Sequence, residues 1–183
     1  IAEVEGAVVV RHSRNSGYDA ALNLGFSKAV ELGVEYIVTL DADGQHDPAL
    51  IAAYLKRLEE SADLVVGIRP QKDRLGEWLF GCVTTFLYGI RDPLCGMKGY
   101  RTTLYRSLGH FDSYRSVGTE LMLFAARNKY RIDQLEVPVS DRGNGSSRFG
   151  RRFKANKQIV RALLVGLIGR KLPNKSIYDS QET

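Results

Sequence analysis

Two spacings alternate along the first third of the chain. Ala7-Val-Val-Val10, Tyr36-Ile-Val-Thr-Leu40 and Asp63-Leu-Val-Val-Gly67 are short apolar, β-branched runs, the signature of strands buried on both faces. Between them the apolar positions recur at helical spacing. Ala20, Ala21, Leu24, Ala29 and Val30 lead up to Gly33, and Leu50, Ile51, Tyr54, Leu55 and Leu58 follow Pro48. Asp47 is placed to cap that second helix, with Pro48 in its first turn. Such alternation predicts an α/β fold with a Rossmann-like, mostly parallel sheet and helices on both faces.

After Gly67 the rhythm changes. Leu75 to Ile90 reads as one aromatic-rich amphipathic helix, and Asp92 to Tyr100 as a turn-rich link holding Pro93, Gly96 and Gly99. A helix over Thr119–Tyr130 and a strand over Ile132–Val139 follow. Three glycines in Arg142–Gly150 make that stretch a loop, and Arg151 to Arg170 reads as a long helix striped by Ile159, Leu163, Leu164, Leu167 and Ile168. The expected organisation is one domain over residues 1–150 and a basic amphipathic helix with its tail over residues 151–183.

Composition adds little to this picture, but the distribution of charge changes it. The chain has 183 residues, of an ordinary size for one domain, and a hydrophobic share of 44% excludes disorder. Cys82 and Cys95 form no disulfide framework and lack metal-ligand spacing, so a reducing compartment is expected. Ile1–Gly6 is unlike a secretory signal, and no apolar run is long enough to span a bilayer. The overall balance is 26 basic against 21 acidic residues, a net +5. Arg142 to Lys175 contains ten basic residues and no acid, so the remainder of the chain sums to 16 minus 21, or −5. A basic tail on an acidic body calls for an anionic partner: a membrane surface, a phosphate or a nucleic acid. Nucleic acid is the weakest of these, because no basic platform interleaved with aromatics supports it.

The sharpest chemical feature is Leu40-Asp-Ala-Asp-Gly-Gln-His-Asp-Pro48. Asp41 and Asp43 follow directly on a predicted strand, where open α/β sheets bind ligands. Alternate positions on an extended backbone point the same way, so the two carboxylates repel each other and call for a cation. Mg2+ or Mn2+ suits such hard oxygen donors, and Gln45 could add a neutral oxygen. A helix-capping role accounts for Asp47 but not for three acids. A calcium-binding helix-loop-helix needs Gly at loop position 6, and here Gly44 falls at position 4. A haloacid-dehalogenase-type phosphatase matches Asp41 to Gly44, with Asp41 as the phosphorylated nucleophile, but wants Thr or Val where Gln45 stands and the motif on its first strand. A non-catalytic module binding nucleotide or lipid head groups is a further alternative.

Asn15-Ser-Gly-Tyr-Asp-Ala-Ala-Leu-Asn-Leu-Gly25 followed by Asp41-Ala-Asp-Gly-Gln-His-Asp-Pro48 resembles the inverting family 2 glycosyltransferases, in particular the dolichol- or polyprenyl-phosphate mannosyltransferase-like branch. The resemblance runs on through Gly67-Ile-Arg69, Asp92 to Tyr100, Glu120, Glu136-Val-Pro-Val139 and Arg142 to Arg148, covering roughly residues 8 to 150. It implies a GT-A-like fold, a GDP- or UDP-sugar donor, and transfer with inversion to a lipid phosphate or a glycan, as in cell-envelope glycan synthesis. It also implies a divalent metal, with Asp41 contacting donor and metal and with Asp43 and Gln45 as metal ligands. Glu120 matches the family's acid that takes a proton from a hydroxyl acceptor; its alternative is an acid favoured by the start of a helix.

Arg69, at a strand end, is expected to face the same crevice and bind phosphate, and Lys98 is a second phosphate contact or simply exposed. Asp92 before Pro93 reads as a turn former. Arg142, Ser146, Ser147 and Arg148 resemble the branch's acceptor loop, a flexible set of donors for oxyanions. Interleaved basic and apolar residues in the C-terminal helix suggest peripheral attachment to the cytoplasmic face of an anionic membrane, with Leu75–Ile90 as a second interfacial element. Packing on the domain, or on another subunit as a homo-oligomer, is the alternative for both helices. The family's opening strand, Pro-x-x-Asn-Glu turn and Asp-Asp-x-Ser strand have no counterpart, so the nucleotide site is expected to be N-terminally incomplete.

Overall fold

The structure, a computed structural model, describes residues 3–41, 44, 46–70, 75–138 and 152–168, with side chains of the last stretch given over 157–166. Among the described residues four strands form one sheet: β1 (Tyr36–Thr39), β2 (Leu64–Ile68), β3 (Lys98–Arg101) and β4 (Ile132–Glu136), in the spatial order β1-β3-β2-β4. β3 runs antiparallel to both of its neighbours, and β2 runs parallel to β4. β1, β2 and β4 therefore point the same way, as the apolar runs predict, with one reversed strand wedged between β1 and β2.

That reversed strand begins inside the stretch expected to be a turn-rich link and runs one residue past it. Its sequence, Lys-Gly-Tyr-Arg, has no strand signature of its own. Pairing on both edges defines it instead, with Gly99 opposite Val38 on one side and Val65 on the other. A short helix over Thr102–Leu108, α4, follows at once and was likewise unforeseen.

Helices cover both faces. α2 (Ile51–Glu60) lies on one, burying Tyr54 and Leu58 with Val65, Cys95, Met97 and Val137. Asp47 caps the entry to this helix by accepting the Ala49 N–H, with Pro48 in the first turn, as expected. The approach is close: a Cβ on Gly67 of β2 would stand 2.6 Å from the Tyr54 hydroxyl and 2.7 Å from Cys95 Sγ, so only glycine fits there. On the opposite face Leu64, Val66 and Tyr100 meet α1 (Tyr18–Glu31), α3 (Leu75–Tyr88), α4, α5 (Glu120–Arg127) and α6 (Arg152–Ile168). Phe26 of α1 anchors that layer, stacked on Phe111 at 4.6 Å and edge-on to Tyr100 at 5.2 Å between ring centroids.

Two expectations are corrected. Ala7–Val10 is not a buried strand: it has no sheet partner among the described residues, and Val8 is 64% exposed. A β-branched run encodes an extended chain, but burial requires a neighbouring strand to cover it. The stripe of α6 is not a free membrane face either. Ile159, Ala162 and Leu163 pack into the same core and the helix lies against α3, while Leu164 alone of the described stripe turns outward.

Candidate active site

β1 delivers Asp41 to the sheet's edge. Thr39 Oγ1 donates to the Gly96 carbonyl at 2.8 Å, fixing the end of β1 against the turn that enters β3. The Asp41 N–H donates to Nδ1 of the buried His46 at 3.0 Å. That nitrogen therefore carries no proton, and its 3.8 Å approach to Asp41 Oδ2 is not an ion pair in that state. The Asp41 carboxylate rests on Gly96, where a Cβ would lie 2.4 Å from Oδ2. Its side chain is 42% exposed. A half-open carboxylate at a strand end, cradled where only glycine leaves room, is a hard oxygen donor of the kind Mg2+ and Mn2+ take. Asp43 and Gln45 lie outside the described residues, and no group of three metal-ligating side chains occurs among the described ones.

Beside it, at the end of β2, Arg69 and Asp92 form a buried pair. Arg69 donates to Asp92 through Nε at 2.8 Å and Nη2 at 2.9 Å, and to Glu77 of α3 at 3.2 Å. The backbone N–H of Arg69 adds a further bond to Asp92. Burial alone would raise the Asp92 carboxyl, but these bonds and the Arg69 charge hold it below the usual range. Burial opposes the Arg69 charge as well, and Asp92 and Glu77 together hold its pKa up. Lys98 is buried too, and its ammonium donates to the Cys95 carbonyl at 2.6 Å. Burial depresses its pKa, against the pull of Cys95 and Asp92.

A second polar cluster surrounds Glu120 at the start of α5. His110 Nε2 lies 2.9 Å from Glu120 Oε1, and Ser113 donates its hydroxyl and its backbone N–H to the same carboxylate. The hydrogen bond to Glu120 raises the His110 pKa. Asp112 accepts from the Ser116 N–H at 2.8 Å and from the Ser116 hydroxyl, and Ser116 in turn accepts the Glu120 N–H at 2.9 Å. The loop is held in a costly shape: Arg115 and Val117 both have φ of 58°, which a β-branched residue rarely adopts. Asn23 ties α1 to it, donating to the Asp112 carbonyl and accepting from the N–H groups of Phe111 and Asp112. Asp19 accepts the Gly118 N–H, and burial followed by the Asp112 charge pushes its pKa up to about 6. Tyr18 borders both clusters: burial, then the charges of Asp41 and Asp19, with a smaller contribution from Asp112, raise its phenol.

A family model described as glycosyl transferase family 2 matches residues 1–159. The chain belongs to that family. A relative in Methanococcus voltae, a UDP-N-acetylglucosamine–dolichyl-phosphate N-acetylglucosaminyltransferase, is 29% identical over 147 residues, covering 72% of this chain and 58% of its own length. The undecaprenyl-phosphate mannosyltransferase of Micrococcus luteus is 25% identical, over 80% of this chain and 66% of its own. The chain thus spans about three fifths of such relatives. Among solved structures, glucosyl-3-phosphoglycerate synthase from Mycobacterium tuberculosis with UDP superposes at a TM-score of 0.68 and 19% identity, over 90% of this chain and 62% of that one. The same enzyme with Mn2+ and UDP-glucose gives 0.66. These likenesses show a GT-A-like fold, and family membership leaves the phosphatase reading of Asp41 to Gly44 without support.

At this sheet edge of the family 2 chain Asp41 is half exposed, while Arg69 and Lys98 have intramolecular partners that the sequence does not announce. Two buried carboxylates engage the Arg69 guanidinium through Nε and Nη2, and its side chain stays 20% exposed. Lys98 is neither exposed nor directed outward, and Asp92 is an ion-pair partner rather than only a turn former. Arg142, Ser146, Ser147 and Arg148 lie outside the described residues. His110, Asp112, Ser113, Ser116 and Tyr18 were missed. The Asp112-x-x-x-Ser116 spacing ahead of a helix, with Glu120 at its start, is the local signal that could have found part of the cluster.

Proposed function

We propose that this chain carries the donor-side chemistry of a nucleotide-sugar-dependent glycosyltransferase, moving a sugar with inversion onto a polyprenyl or dolichyl phosphate at a membrane surface. The observation that carries the reading is Asp41: a half-exposed carboxylate at the end of a strand, backed by Gly96, in a chain of this family. Asp41, with Asp43 and Gln45 in the same loop, would hold Mg2+ or Mn2+, which when bound supplies the positive charge that a departing nucleoside diphosphate needs. The relatives named for transfer to dolichyl and undecaprenyl phosphates support the acceptor class. A lipid phosphate is already an anion and needs no strong base. Were the acceptor a hydroxyl, Glu120 would take its proton, with His110 and Ser113 fixing the orientation of the carboxylate. Arg69 and Lys98 act from behind the site in this reading, as buried cations that fix the turn on which Asp41 rests. Arg142, Ser146, Ser147 and Arg148 supply donors to the phosphates in this reading, and the cations of the tail favour attachment to an anionic surface.

Release of nucleoside diphosphate from GDP- and UDP-sugars, with Mn2+ and a short polyprenyl phosphate, tests the proposal. Asp41→Asn is expected to lower release by at least about 100-fold, the scale for losing one charge-stabilising group. Equal release by the variant would overturn the reading.

A further inference from the structure

α3 turns an uncharged, aromatic face to solvent. Phe86 is 88% exposed, Leu75 75% and Trp78 56%, with Leu79 and Leu87 beside them. The positions 75, 78, 79 and 86 recur at helical spacing, so they form one stripe rather than scattered exposures. The helix has a single charged residue, Glu77, and it is buried against Arg69 on the other side. α6 lies along α3 and has no acidic residue, with Lys157 and Arg161 exposed and Leu164 53% exposed. An apolar stripe thus adjoins a purely basic helix.

We infer that the outer face of α3 inserts into the interfacial region of an anionic bilayer, while α6 serves as its electrostatic partner and not as the inserting element. Among the described side chains of α6 the core already uses Ile159, Ala162 and Leu163, which leaves Lys157, Arg161 and a single large apolar residue, Leu164, to offer. α3 has the reverse endowment. A bilayer with anionic headgroups satisfies both halves: acyl chains take Leu75, Trp78 and Phe86, and headgroups take the cations. A second copy of the chain satisfies only one, since apposing two such faces draws two basic helices together. The inference deepens the lipid-acceptor reading and rests on it for its purpose, but the binding step is measurable without donor or acceptor.

Trp78 is the chain's only tryptophan and reports directly from this face. The full chain is mixed with vesicles of about 3:1 phosphatidylcholine to phosphatidylglycerol. Its emission is expected to shift to the blue and to be quenched by brominated acyl chains. Phe86→Asp, at a site too exposed to unfold the chain, is expected to cut vesicle partitioning by at least about tenfold. Lys157→Glu is expected to weaken binding to these vesicles while leaving binding to pure phosphatidylcholine unchanged. Binding that ignores Phe86→Asp, or occurs without a Trp78 shift, overturns the assignment. So does a blue shift that grows with protein concentration in the absence of lipid, which would identify a dimer face. Vesicle binding that fails while diphosphate is still released on a detergent-dispersed acceptor sinks this inference alone; loss of release with intact vesicle binding sinks the functional reading instead.

Discussion

The strand-end cluster and the loop around Glu120 both hold buried carboxylates and settle them in opposite ways. At the strand ends a buried carboxylate, Asp92, meets a half-buried guanidinium, and its pKa falls below the usual range. In the loop, burial pushes Asp112 and Asp19 up, with the Glu120 charge adding for Asp112 and the Asp112 charge for Asp19, and hydroxyls and backbone N–H groups are their main relief. In one region the buried acid is paired with a cation. The other stays folded although its charges and its backbone are both held at a cost. A permanent cation settles a buried acid in a way that neutral donors do not.

The comparison breaks most clearly at Asp92. Asp92→Ala leaves the part-exposed Arg69 with Glu77 alone as its carboxylate partner, and a loss of about 2–3 kcal/mol is expected in denaturant titration. The native pair also has a defined pH signature. A carboxyl whose pKa is depressed on folding adds stability above its unfolded value of 3.8, and that stability drains as pH falls through the lower folded value. The variant should therefore lose less on acidification than the parent.

Asp19 has the opposite sign. With its pKa raised from 3.8 to about 6, the folded state holds the proton more tightly than the unfolded one, so its contribution falls as pH rises through that window. Asp19→Asn, which can still accept the Gly118 N–H, should stabilise the protein at pH 7 and change it little at pH 3. A parent and variant that keep a constant gap across this range would show that the two clusters do not differ as described. The smallest effect is expected at Val117. Val117→Gly removes the left-handed strain and should raise the unfolding free energy by about 1 kcal/mol, read from the shift in denaturant midpoint.

The two regions also differ in how far the sequence announces them. β1, β2, β4 and the helices α1, α2, α3, α5 and α6 follow from apolar spacing, and Asp41 from its place after a strand. The Asp47 cap was legible because Asp followed by Pro is a local device. Arg69 and Asp92 are 23 positions apart, and only the insertion of β3 brings them together. Nothing near either residue signals the pairing, so Arg69 reads as a phosphate ligand. β3 itself was hidden because its four residues owe their burial to two neighbouring strands and to the α2 side chains over Gly99. Val8 shows the converse error, an apolar run whose composition suggests burial that no described neighbour provides.

The reversed strand carries one more implication. β1 and β2 are separated by β3, so the backbone ends that present Asp41 and Arg69 stand two strand spacings apart, about 9.6 Å. Hydrogen-bonded ladders, which hardly stretch, set that gap. Side chains around the rim can change in size or sign without altering it, so the strand works as a fixed ruler on which the surrounding chemistry is free to vary.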